Sequence, residues 1–215
     1  AIALAEVWQA CDRRGKLVTT AVVLLATAHQ VQQYRNYVGT LVRQTDVTGT
    51  VEYQAARWLD ENLPGRRVFL SGSLRFWLNV FADNPQFGGG ADQAMTNPWL
   101  AVMSHGITAT TGNGEETVLW LKAHGVQAIA VGGPESREVY KGFHDPAKFE
   151  GVLPQLWRDG DDVIYGVPSR TKSPAHVIRY QDLMARAPAG FSDVAPLIRF
   201  VAALENPDLP LVELV

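Results

Sequence analysis

The stretch that decides the fold runs from Tyr53 to Asn97, YQAARWLDENLPGRRVFLSGSLRFWLNVFADNPQFGGGADQAMTN. Together with Val51 just upstream, Ala55, Trp58, Leu59 and Leu63 recur at the spacing of one helix face. Thr48 or Thr50 can cap this helix, because a hydroxyl oxygen there accepts from an unpaired first-turn N–H. Pro64-Gly65 ends it. Arg66 to Leu70 (RRVFL) then reads as a short strand bounded by Ser71-Gly72-Ser73. Leu74 to Phe81 puts Leu74, Trp77, Leu78 and Phe81 on one face of a second helix. Helix, strand and helix in succession is the unit from which α/β sheets are built.

The same logic carries through the rest of the chain. A helix is expected around Pro98 to Ser104. Another is expected from Glu115 to His124, with acidic residues in its first turn, Lys122 and His124 in its last and Gly125 just past it. Val126 to Val131 follows as a buried strand. Leu153 to Arg158 and Asp162 to Val167 flank Asp159-Gly160, a hairpin turn signal. The segments SPAHVIRYQDLMARAPAG and SDVAPLIRFVAALENPDLP read as two more helices, and LPLVELV as the start of a strand. The expectation is an α/β fold: a small, mostly parallel sheet flanked by helices, with a β-hairpin and an N-terminal helix. Residues 41–170 form its α/β domain, and 171–215 a helical extension leading into a truncated C-terminal region.

With 215 residues, 47% hydrophobic and 19% charged, the chain can bury a core of its own. A net charge of -3 and scattered Lys and Arg offer no basic field, which argues against a nucleic-acid partner. The single cysteine, Cys11, excludes an internal disulfide framework and reads as a small apolar filler. Arg13, Arg14 and Lys16 precede an uncharged run, Leu17 to Ala28, which more polar residues extend to Tyr34. A basic cluster before an apolar run, followed by amide and aromatic residues, matches a positive-inside membrane helix with an interfacial exit. The apolar core is short of the ~20 residues a span usually needs, so an amphipathic helix packed on the domain is the other reading. If the helix spans, everything after Tyr37 lies outside the cytoplasm.

Two places could carry chemistry. Ser71-Gly72-Ser73 lies between a strand and a helix, where free N–H groups and the helix dipole can hold an anion such as a phosphate. The alternative is that Ser73 is a plain N-cap. The DNPQFGGGADQ loop brings Asp83, Asn84, Gln86, Asp92 and Gln93 to a backbone that glycines leave bare, which suits sugar hydroxyls or a metal ion. The alternative is a loop hydrogen-bonded to itself beneath Phe76, Trp77, Phe81 and Phe87. With Arg75, Asn79 and Gly89, the candidate ligand-binding set is Ser71, Ser73, Arg75, Asn79, Asp83, Gln86, Gly89, Asp92 and Gln93. No catalytic residue is indicated. No metal site is expected, since the loop has no Asp-x-Asp spacing and the five histidines are dispersed.

The strings YQAARWLDENLPGRRVF, SGSLRFWLN and QFGGGADQ resemble the extracytoplasmic domain of bacterial multi-pass membrane proteins related to GT-C glycosyltransferases, a group labelled 6-pyruvoyl-tetrahydropterin-synthase-related membrane proteins. The resemblance covers most of the chain from Arg13 onward. It implies that residues 1–40 hold the last of many transmembrane helices, that the chain is a fragment, and that the domain after residue 40 faces outward at the cell membrane. It further implies a glycosyltransferase whose catalytic carboxylate lies among earlier helices, so that this stretch is inactive alone and needs no cofactor of its own. The full-length protein would use a polyprenyl-phosphate-linked sugar donor. The partners implied are membrane lipid at the N-terminal helix and a glycan or lipid-linked sugar that the domain helps to position. FWLN and GGGADQ stand loosely where the resembling oligosaccharyltransferases carry Trp-Trp-Asp, a motif this chain lacks. The zinc-binding histidine pattern of pterin synthases is also missing. Two other readings are a non-catalytic structural or interaction domain of a membrane protein, and a soluble α/β ligand-binding protein.

Overall fold

The computed structural model describes residues 8–9, 11–41, 46–89, 97–109, 113–170, 176–177, 186–208 and 212–213. The chain divides into two compact units, Ala1–Asp46 and Val47–Val215. The first contains helix α1, Arg13–Leu41, of 29 residues. Asp12 starts it, its Oδ1 accepting from Gly15 N at 2.8 Å. At about 1.5 Å per residue α1 has the length of a bilayer. Even so, no described helix is both long and apolar enough to cross a membrane. The spanning helix expected from the sequence is therefore not supported by hydropathy, because the uncharged run stops at Ala28 and His29, Gln30, Gln32, Gln33 and Asn36 follow. The apolar side chains of α1 are exposed, Leu17, Val18, Val22, Leu24 and Leu25 among them, and they lie all round the axis rather than in a stripe.

In the second unit, α2 (Val51–Asn62) begins at Thr50, whose Oγ1 accepts from Tyr53 N at 3.3 Å. Strand β1 is Val68–Phe69, and α3 (Leu74–Phe81) follows. Next come α4 (Pro98–Ala109), α5 (Gly114–Ala123) and β2 (Ala128–Gly132). Strands β3 (Gln155–Asp159) and β4 (Asp162–Gly166) form the expected hairpin. The helix expected over 173–190 is interrupted by β5 (His176–Val177), which pairs with β6 (Val212–Glu213); 178–185 lie outside the described residues. Helix α6 is Ala195–Glu205.

The main sheet has the order β1-β2-β4-β3. Only β1 and β2 are parallel; β4 is antiparallel to β2 and to β3. The expectation of a mostly parallel sheet is thus corrected. The cause is the hairpin: β3 turns back at once into β4, and β4 lies between β3 and β2 and so runs against both.

Strand alternation gives the sheet two apolar faces. Val68, Ala128, Ala130 and Ile164 pack with Ala55, Ala56 and Leu59 of α2 and Leu74 and Leu78 of α3. Phe69, Ile129, Val131, Val163 and Tyr165 pack on the other side with Met103, Ile107, Trp120, Leu121 and Leu197, from α4, α5 and α6. The result is helix, sheet and helix in three layers. At roughly 1.5–3 kcal/mol for each large side chain fully buried, these two clusters are the main source of its stability.

Candidate functional site

The parallel pair gives the sheet two distinct ends. Where β1 and β2 finish, Gly72 takes φ +68 and turns the chain into α3. This is the Ser71-Gly72-Ser73 position predicted to hold an anion, and a carboxylate of the chain itself occupies it. Glu138 Oε2 accepts from Ser73 N at 2.9 Å and from Leu74 N at 3.4 Å. Ser73 makes no side-chain cap; its hydroxyl donates to Glu52 Oε1 at 2.6 Å and lies 3.3 Å from Glu138 Oε2. Asp162 Oδ1 accepts from Ser136 Oγ at 2.6 Å, and Ser136 Oγ in turn accepts from Glu138 N at 3.0 Å. Glu52, Glu138 and Asp162 are all buried. Burial pushes the Glu138 carboxyl up to about 7, with the charges of Asp162 and Glu52 adding to it and the N–H groups of Leu74 and Ser73 opposing it. Burial likewise raises Asp162, whose Oδ2 is buried and has no hydrogen-bond partner among the described residues.

The glycine loop uses its polar groups largely on itself. Arg75 Nε donates to Gly89 O at 2.9 Å. Asn79 Nδ2 donates to Ala82 O at 3.3 Å and Asn84 O at 3.2 Å. Gln86 Nε2 donates to Asn79 Oδ1 at 2.6 Å and Arg75 O at 3.1 Å. Arg75 and Asn79 are four residues apart on α3, so one helix face grips the loop. Asn84, fully buried, donates to Leu63 O at 2.6 Å and Arg66 O at 3.2 Å and so ties the loop to the turn before β1. Asp83 is exposed. Asp92 and Gln93 lie outside the described residues. Of the predicted set, Arg75, Asn79, Gln86 and Gly89 form this network, whereas Ser73 belongs to the carboxylate cluster. The Ser71 Oγ sits where a side chain at Gly142 would go.

At the opposite end, where β1 and β2 begin, is an open cleft of about 460 Å³. Its walls include Gln86, Phe87 and Gly88 from the loop, Arg67 before β1, His124 at the end of α5 and Phe200 of α6. Val68 N donates to Pro85 O at 2.9 Å and Phe87 N to Val68 O at 2.8 Å, which lays the loop along β1. Gln86 Oε1 is buried without a partner among the described residues. His124 Nδ1 lies 2.9 Å from Trp120 O; a carbonyl only accepts, so Nδ1 carries the proton and Nε2 is an acceptor. No hydrogen bond to that Nε2 is found among the described residues. Burial lowers the His124 pKa, and the Arg67 charge lowers it further, so the ring is neutral at pH 7. Arg67 Nη1 donates to His124 O at 2.8 Å. The Phe87 ring meets His124 edge to face at 5.0 Å. The cleft thus offers a charged donor and a neutral imidazole acceptor beside aromatic surface.

The sequence reading missed Glu52, Glu138, Asp162, Arg67 and His124. Arg67 and His124 carried a usable signal, since each closely precedes one of two strands that pair in parallel. Glu138 carried none, being 65 residues from the serine it caps. Among the described residues no group of three or more His, Cys, Asp or Glu is placed to hold a metal ion. Comparisons with family models, curated proteins and solved structures find no match to this chain.

Proposed function

We propose that this chain is a recognition domain of a membrane-bound protein of the GT-C glycosyltransferase type, and that it holds the sugar of an acceptor or lipid-linked donor in the cleft beside Gln86 and His124. The observation that carries the reading is that cleft: aromatic surface with a few convergent polar groups is the usual make-up of a small-ligand site. A neutral His124 Nε2 suits a hydroxyl donor, Arg67 an acceptor or anion, and the Phe87 edge the apolar side of a sugar ring. The resemblance of the Tyr53 to Gln93 strings supports the family assignment. The exposed, unstriped apolar surface of α1 supports a neighbouring bilayer or further helices of a longer chain, with the domain after residue 40 outside the cytoplasm. Catalysis is assigned to other parts of the full-length protein.

Saturation-transfer NMR with oligosaccharides and short-chain polyprenyl-phosphate sugars tests the cleft. Signal transfer that disappears in His124→Ala and Gln86→Leu is the expected result; transfer unaffected by both removes the cleft from the proposal. Recovery of the chain in the soluble fraction without detergent contradicts the membrane part. The reading as a non-catalytic interaction domain is favoured by one feature, the exposed Phe76, Trp77 and Val80 on the outer face of α3.

A further inference from the structure

Glu52, Glu138 and Asp162 are three carboxylates gathered at one end of the sheet, each less than a tenth exposed. Among the described residues, none of the three makes an ion pair with a Lys, Arg or His. The groups facing Glu138 are Glu52 from α2, the N–H groups of Ser73 and Leu74 from α3, and Asp162 from β4, with Ser136 from its own loop. Beyond Asp162 stand Asp159 of β3 and Arg137, and the Arg137 guanidinium is bound to Asp159 rather than to the cluster. A buried carboxylate without a cation is neutralised by binding a proton. The geometry offers that proton a place. The Ser73 hydroxyl has given its one proton to Glu52, and its lone pair lies 3.3 Å from Glu138 Oε2. The consequence is mechanical, because Glu138 is the member of the trio carried on an irregular loop. That loop is held to α3 by Glu138 and by Ser73 N donating to Tyr140 O at 2.8 Å.

We propose that Glu138 is a proton-operated latch: as the neutral acid it docks the Gly133 to Lys141 loop on the first turn of α3, and its ionisation loosens that loop. Glu138 has a folded-state pKa near 7 against an ordinary value of 4.5. Its folded pKa is raised, so the stability it contributes is complete below the ordinary value and is lost as pH rises through about 7. The folding equilibrium constant falls by roughly 300-fold across that window from this group alone, by the linkage relation. A loosened loop also uncovers the Ser73 and Leu74 N–H groups.

The test measures thermal unfolding from pH 5 to pH 8.5, with hydrogen exchange at Ser73, Leu74 and residues 136–141, in the wild-type chain and in Glu138→Gln. The amide is shaped like the neutral acid. The wild type is expected to lose melting temperature and amide protection with rising pH, after correction for intrinsic exchange, while the variant keeps both. Equal pH slopes in the two chains overturn the proposal. A wild-type loss at pH 8 that Ca²⁺ or Mg²⁺ reverses and a chelator restores also overturns it, by showing that a cation neutralises the cluster. Should Glu138→Gln fail to fold, Asp162→Asn decides. Removing that charge must move the wild-type transition to lower pH, and an unmoved midpoint refutes the latch.

Discussion

Substituting Gly72 by Ala tests how closely α3, the Glu138 loop and the sheet end are built around one another. Gly72 has φ +68, where an L side chain costs about 1 kcal/mol. Its Cβ would also overlap the Glu138 carboxylate and the Tyr140 carbonyl oxygen, and would lie 3.1 Å from Glu138 Cδ. The carbonyl is backbone and is pinned by Ser73 N, so relief requires the loop to move and that buried N–H to lose both acceptors. Leaving a buried donor unpaired costs about 1–3 kcal/mol. The total is about 2–4 kcal/mol, or a melting temperature lowered by on the order of 10 °C for a chain of this size. Gly65 provides the control. It has φ +67 with nothing within 4 Å of an added Cβ, so Gly65→Ala should lose only the conformational part, about 1 kcal/mol. Urea denaturation followed by circular dichroism compares the midpoints at constant slope. Equal losses in the two variants would show that the crowding at Gly72 does not exist.

Two more perturbations probe the scaffold. Asn84→Ala removes the donor shared by the Leu63 and Arg66 carbonyls and should lower stability by about 2 kcal/mol in calorimetry, as expected for orphaned buried acceptors. A loss below half that size would mean solvent reaches those carbonyls. Lys148 is buried with its ammonium donating to Ile107 O, and burial lowers its pKa from 10.5 to about 8. A depressed folded pKa makes stability rise with pH between those two values, so Lys148→Met should flatten the wild-type rise between pH 8 and pH 10.

Helical periodicity made α2, α3 and α5 legible, and Thr50 could be named as a cap because the signal for it is local. The β3–β4 hairpin was legible from Asp159-Gly160 for the same reason. Strand direction was not, because a buried strand such as Val126 to Val131 has the same composition whether its neighbour runs with it or against it. The Asp159-Gly160 hairpin showed that β3 and β4 oppose each other, but not that β4 would lie beside β2 and turn the sheet antiparallel there. At the site, the polar character of Arg75, Asn79 and Gln86 could be read from composition and i,i+4 spacing, but not that they bond to one another. Ser73 was expected as an anion holder or a cap; what it holds is the carboxyl group of a glutamate from a distant loop, a pairing that follows from tertiary packing alone. The cleft arises where β1 begins and α5 and α6 end, and no continuous segment encodes it.

The mixed sheet also has two edges, and each is closed to further strands in its own way. Along β1, Pro85 to Phe87 already takes the N–H and C=O of Val68, in an isolated bridge with Gln86, and Pro85 has no N–H to pass on. Along β3, a register shift between Gln155 and Trp157 bends the strand, and Arg158 and Asp159 place charges beside its end. A strand approaching from another molecule would meet an occupied backbone on one side and a kinked, charged one on the other. The sheet of the second unit is therefore finite by construction, and crowded chains of this protein should resist joining edge to edge.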